Sequence, residues 1–149
     1  MLADATGDIA SLELSNSRSC LRRPAEGEDI LFHTNAFCGP TMREVQVADN
    51  AVFTQRAPRA LRNRPVLRSS VLRDARFAEL IERCTKLGTA ELQAVMSDHG
   101  PGGTPSEHTI CVHSDYWYTT ATMQLFPATR RMAIDYSSTC QADYRTFEV

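Results

Sequence analysis

The run His33-Thr34-Asn35 places an asparagine at the end of a short apolar segment. An amide N–H there could be aimed at a developing oxyanion. The competing use of such an asparagine is to cap the strand end and bond its own backbone. His108, Cys111 and His113 lie within six residues. On one strand, positions 111 and 113 share a face, so Cys-x-His offers two metal ligands. Spacing supplies no third or fourth ligand, and the sequence assigns no metal and no cofactor. Asp98-His99 either orients a general base or closes a helix with a favourably placed histidine.

The five cysteines, Cys20, Cys38, Cys84, Cys111 and Cys140, contain no C-x-x-C pair. With no secretory signal, they read as reduced thiols. None carries the local signature of a nucleophile beside its base, and each suits a small apolar core position. From Arg56 to Arg76 there are seven arginines and one acid, Asp74, a local charge of +6. Phosphate binding is one use of such a stretch. No aromatic residue interleaves with these arginines, which favours a solvated loop and helix face over nucleic acid. No Walker loop or G-x-G-x-x-G is present, so a nucleotide site of known type has no support.

These residues must be positioned by a mixed set of elements. Leu12 and Leu14 alternate with Glu13, and Thr6-Gly7-Asp8 precedes them as a turn, so Met1–Ala3 is expected to form a hairpin with Ile9–Ser15. An opening inside a strand implies a further segment ahead of it. Cys20–Arg23 and Ile30–Thr34 read as short strands. Residues 36–68 lack periodicity, and Pro40, Pro58 and Pro65 would interrupt a helix. Phe77, Leu80, Ile81 and Cys84 then fall on one helical face, with Ser69 or Ser70 as the cap and Glu79–Arg83 as a favourable ion pair. Gly88 stops this helix, and Thr89 caps a second with Leu92, Val95 and Met96 inward. Residues 100–105 form a loop. Thr109–Val112, Tyr118–Phe126, Arg131–Tyr136 and Tyr144–Val149 read as strands. Strand runs bracketing a helix pair indicate an α+β fold.

The composition fits one globular domain over residues 1–149. The chain is 42% hydrophobic and 23% charged, with a net charge of −2. Such a domain would bury roughly 70% of its unfolded surface. Fifteen of its sixteen basic residues are arginine, Lys86 being the exception, a pattern expected from codon bias. No apolar run approaches the roughly 18 residues of a membrane span, and no leader is evident, so a cytoplasmic location is expected.

Several stretches, in order, resemble one family. They are Leu2-Ala3-Asp4-Ala5-Thr6-Gly7-Asp8-Ile9, Leu12-Glu13-Leu14 and Leu31-Phe32-His33-Thr34-Asn35-Ala36-Phe37. Ser97-Asp98-His99, Thr109-Ile110-Cys111-Val112-His113, the following strand pair and Tyr144-Arg145-Thr146-Phe147 continue the match. The chain resembles the C-terminal part of the acyl-coenzyme A:6-aminopenicillanic acid acyltransferase-like (isopenicillin-N acyltransferase-like) family of Ntn hydrolases. The resemblance implies part of an αββα sandwich and an enzyme that cleaves or transfers an acyl group at a C–N bond through a thioester. It also implies that Asn35 supports the oxyanion. In such enzymes autoproteolysis exposes an N-terminal cysteine whose own α-amine is the base.

The departures from the family are specific. The segment bearing that cysteine is absent here, and removal of Met1 would expose Leu2, which is no nucleophile. Gly103-Thr104 is followed by Pro105 and does not supply the cleavage context. Cys38 stands where the family usually has an aliphatic residue. Val112 stands where Ile-Cys-Arg is common. The expectation is a C-terminal fragment or subunit, inactive alone. Its partners would be an N-terminal half of the same enzyme and a small acyl-amide or acyl-coenzyme A substrate, without membrane or nucleic acid. The alternative is a non-catalytic remnant or a binding module that self-associates into a homo-oligomer through exposed sheet.

Overall fold

The computed structural model describes residues 1–148. It is an α+β arrangement with a three-stranded antiparallel sheet near each end of the chain and helices between them. The first sheet has strands β1 (Leu2–Ala3), β2 (Ile9–Leu14) and β3 (Ser19–Arg22), in that order. Its first turn forms because the Asp4 carboxylate accepts from the Thr6 amide at 2.8 Å and the Thr6 hydroxyl at 2.6 Å. Gly7 completes it at φ +95°, a conformation that favours glycine. The second sheet has β4 (Thr122–Phe126), β5 (Arg131–Asp135) and β6 (Arg145–Glu148), also in order. Val149, the end of the expected last strand, lies outside the described residues.

Three helices fill the middle: α1 (Pro40–Arg43), α2 (Arg68–Glu82) and α3 (Thr89–Met96). Pro40, read as an interruption, instead begins α1, where its missing N–H costs no hydrogen bond. Neither expected serine caps α2, which starts at Arg68. The Ser69 hydroxyl donates to the Glu107 carbonyl at 2.5 Å, and the Ser70 carbonyl accepts from the Thr34 hydroxyl at 3.0 Å. A tertiary partner has taken the Ser69 hydroxyl from local capping, and Ser70 lies inside the helix, joined to Thr34 by its backbone carbonyl. Gly88, rather than Thr89, precedes α3, and its N–H donates to Glu91 Oε2 at 3.0 Å. The expected Glu79–Arg83 ion pair forms on α2. Among the described residues, no helix is long and apolar enough to cross a membrane.

Two expected strands do not form. Residues 30–34 find no neighbouring strand edge. They lie against α2, with the Phe32 ring stacked on Phe77 at 4.7 Å. Residues 109–112 curl so that the Thr109 hydroxyl lies 2.8 Å from both the Ser106 and the Cys111 carbonyl oxygens, with its one proton to share between them, and an isolated bridge then pairs His113 with Tyr118.

Both sheets carry their apolar faces outward. Directly paired residues in an antiparallel sheet share a face. In the first sheet, Leu2↔Ala10, Leu12↔Leu21 and Leu14↔Ser19 lie on one side, and all four leucines are exposed. The opposite side carries Ser11↔Arg22 and Glu13↔Cys20, with Ser11 and Glu13 buried. In the second sheet, Met123↔Ile134↔Arg145 and Leu125↔Met132↔Phe147 form one face, apolar apart from Arg145, on which Met123, Leu125 and Phe147 are exposed. The opposite face packs inward through Ala133 and Gln124, whose side-chain oxygen accepts from Gln93 of α3 at 3.1 Å. The accessible surface is 10262 Å². A compact monomer of this mass would expose about 7,600 Å². The core is correspondingly thin. Its buried apolar side chains include Met42, Leu61, Leu67, Val95 and Ala133.

Glu13 fastens the first sheet to the loop that follows residue 35. Its buried carboxylate accepts from the Cys38 amide at 3.0 Å, the Gly39 amide at 2.9 Å and Arg22 Nη1 at 3.1 Å. Only glycine fits at 39, because a Cβ there would stand 2.8 Å from Cys20 Sγ and 3.1 Å from Glu13 Oε2. Burial favours the neutral carboxyl, but the Gly39 and Cys38 amides and Arg22 outweigh it and hold Glu13 below its usual value of 4.5. A depressed folded value stabilises the fold above pH 4.5, and that contribution is lost as pH falls through the folded value. Glu13→Gln is therefore expected to cost about 1–3 kcal/mol at neutral pH, since a buried amide leaves donors facing donors. It should also flatten the acid limb of stability, as measured by denaturant unfolding across a pH series.

Candidate functional site

Asn35 lines an open cavity of about 390 Å³, together with Ser69, Ser70 and Arg73 of α2 and with Val112, Trp117 and Thr119. The asparagine does not cap a strand or bond its own backbone. It is exposed, and among the described residues its side-chain amide makes no hydrogen bond. Its position comes from both neighbours in sequence. The Thr34 hydroxyl is tied to α2, and the Phe37 amide donates to Gln46 Oε1 at 2.6 Å. The amide is thus held at the cavity wall with donors to offer.

The opposite wall is a crossed pair of backbone segments. The Val112 amide donates to the Thr119 hydroxyl at 3.0 Å, and the Thr119 amide returns a bond to the Val112 carbonyl at 2.8 Å. Trp117 is tilted against Phe53 at 6.3 Å and closes one side. The cation of the cavity is Arg73, half-buried, with Nε donating to the Ser69 hydroxyl at 3.3 Å. Burial lowers its pKa and Asp74 opposes that shift, yet a guanidinium stays charged throughout the physiological range.

Beside this wall lies a second cluster. His99, Cys111, His113 and Cys140 each turn one ligand-type atom into a space where all four atoms lie within 4.8 Å of one another. Cys111 Sγ and Cys140 Sγ each stand 3.4 Å from His113 Nε2. The His99 and His113 rings meet edge to face at 5.1 Å. Of the two pairs, spacing reveals only Cys111 and His113. His99 follows α3, and Cys140 sits in a single 3-10 turn, Thr139–Gln141, between β5 and β6. Sequence offers no signal that joins them. His108 is left out of the cluster and lies 3.5 Å from Glu107. All five cysteines are free thiols. Burial, and then the neighbouring Cys111, push the Cys140 thiol up.

Arg76 and Asp98 hold these parts in place. Arg76 Nε and Nη2 donate to the two Asp98 oxygens at 3.0 and 2.6 Å, and Nη1 donates to Glu79 at 2.8 Å. The hydrogen bond from Arg76 is the main reason the Asp98 carboxyl sits below its usual value. The Asp98 carbonyl then accepts from the Cys111 amide at 3.1 Å. Asp98 is thus a structural anchor rather than the partner of a catalytic base.

Of the remaining candidates, Cys38 is not brought into the site, and of the arginine-rich stretch only Arg73 lines it. Cys38 lines a separate, open cavity of about 600 Å³ with Phe32 and Ile81, and burial pushes its thiol up, the reverse of activation. In the arginine-rich stretch, expected to be a solvated face, Arg62, Arg64, Arg73 and Arg76 instead bond within the protein. No protein-family model, curated protein or solved structure matches this chain.

The free Asn35 amide has a direct consequence for stability. Asn35→Ala is expected to change unfolding free energy by less than about 0.5 kcal/mol, as measured in urea, because it removes no internal bond.

Proposed function

We propose that this chain is the C-terminal portion of a cysteine-type Ntn acyltransferase or amidohydrolase, acting on acyl-amide C–N bonds with an N-terminal portion that carries the nucleophile. The carrying observation is the Asn35 amide, which is free of internal bonds and shares one cavity with Val112 and Arg73. Asn35 and Val112 belong to two of the several stretches on which the resemblance to that family rests, Val112 being itself a departure from it. The outward apolar faces of both sheets give a second line of support, because each layer of an αββα sandwich needs a covering layer.

The chemistry divides between the two portions. The partner's cysteine thiolate attacks the acyl carbon, forming a C–S bond while the carbonyl oxygen takes the negative charge. Asn35 donates its amide N–H to that oxygen. The C–N bond then breaks, and the leaving amine takes the proton that the cysteine's own α-amine accepted from the thiol. Water or an acceptor amine attacks the thioester and releases the thiolate. Val112 brings no charge where an arginine is common, and this cavity is lined by the Arg73 guanidinium of α2 and by the Glu107 carboxylate, itself paired with Arg64. No cofactor is needed for these steps.

The same apolar faces also serve the alternative, self-association of a non-catalytic module, which gives Asn35 no chemical role. Recovery of the protein with its partners from the source cell, followed by intact mass measurement, separates the two. A longer precursor or a companion chain with an N-terminal cysteine is expected, together with cysteine-dependent hydrolysis of an N-acyl substrate. Asn35→Ala in that assembly should lower kcat by about 10²–10³-fold. A lone species near 16.6 kDa, or its homo-oligomer, without amide hydrolysis would overturn the proposal.

A further inference from the structure

We propose that His99, Cys111, His113 and Cys140 form a structural zinc site that pins together three segments of the C-terminal half. The inference does not depend on the acyl-transfer reading. Two imidazoles and two thiols with their ligand atoms within 4.8 Å of one another are the donor set of a closed tetrahedral site. The spacing fits as well. Zinc bonds of about 2.3 Å to sulfur and about 2.0–2.1 Å to nitrogen, at tetrahedral angles, separate the two donor atoms by about 3.5 Å. Cys111 Sγ and Cys140 Sγ each lie 3.4 Å from His113 Nε2.

One further observation points to a cation. His99 Nε2 is buried and has no hydrogen-bond partner. Such an atom is costly to leave unpaired, and a metal bond would satisfy it. The alternative use of the sulfurs, a Cys111–Cys140 disulfide, would leave His99 Nε2 as it is and remove the sulfur contacts of His113. Zinc instead uses all four groups. Binding releases the two thiol protons to solvent, and the two thiolates balance the charge of the ion.

The backbone around the ligands is already fixed. The Cys111 amide is bonded to the Asp98 carbonyl at 3.1 Å, and the His113 amide to the Ser106 carbonyl at 3.2 Å. His99 follows Asp98, which Arg76 grips from α2. An ion here would tie the end of α3 to the Cys111–His113 segment and to the turn between β5 and β6. With four protein ligands, no position is open for water or substrate, so the role is structural.

The test uses the full 149-residue chain, purified without a polyhistidine tag and kept reduced, with zinc and cobalt as the probes. A single equivalent of cobalt is expected to give the visible bands of four-coordinate cobalt and a thiolate charge-transfer band in the near ultraviolet, both abolished by zinc. Cys140→Ser, at an exposed position, should remove about half of the charge-transfer intensity, since one of two thiolates is lost. It should also weaken zinc binding by about tenfold or more. His108→Ala and Cys38→Ser should leave stoichiometry and spectrum unchanged. Zinc should raise the Tm, and a chelator should reverse the rise. A cobalt spectrum lacking thiolate charge transfer, or a Cys111–Cys140 disulfide in protein isolated without oxygen, would overturn the proposal. If a ligand variant fails to fold, the wild-type cobalt spectrum and the two controls still decide.

Discussion

Both sheets turn their apolar faces away from the body they belong to, and the rest of the structure is arranged around that constraint. Leu12, Leu14 and Leu21 on the first sheet, and Met123, Leu125 and Phe147 on the second, face solvent. The side chains that pack inward are Ser11, Glu13, Ala133 and Gln124. Apolar area removed from water is the main driving force of folding. A chain that exposes 10262 Å², against about 7,600 Å² for a compact monomer of its mass, leaves much of that force unused. Contiguous exposed apolar faces mark surfaces made to be covered.

With its best apolar surface turned outward, the chain is held together inside by polar contacts. Glu13 gathers two backbone amides and one guanidinium, and so fixes the loop between Asn35 and α1 to the first sheet. Arg76 and Asp98 join α2 to the segment carrying His99, and the Asp98 carbonyl passes that restraint to Cys111. Such contacts are directional. They set positions well but add modest net stability. A metal ion at the four-ligand cluster would supply what this thin core does not.

Much of the fold was legible where a local rule operates without competition. The alternation around Glu13 and the apolar spacing from Phe77 to Ile81 mark elements that form as expected. The misreadings share one cause. Ile30–Thr34 has strand composition but no strand edge to join, so Phe32 stacks on Phe77 instead. Ser69 is a good cap whose hydroxyl bonds to the Glu107 carbonyl instead. Pattern reads a residue's preferences, while tertiary contact decides which one is met. The site divides in the same way. Asn35 was visible as the end of a motif. The cluster was half visible, since Cys111-x-His113 is a local spacing but His99 and Cys140 arrive by folding.

The most direct test of this account asks whether the outward apolar faces are covered in the working protein. Hydroxyl-radical footprinting would compare the assembly recovered from the source cell with the isolated 149-residue chain. The account predicts strong protection of Leu12, Leu14, Leu21, Met123, Leu125 and Phe147 in the assembly, with Leu72, exposed on α2 and outside both sheets, equally labelled in the two. Equal labelling of the six apolar residues in both samples would contradict it.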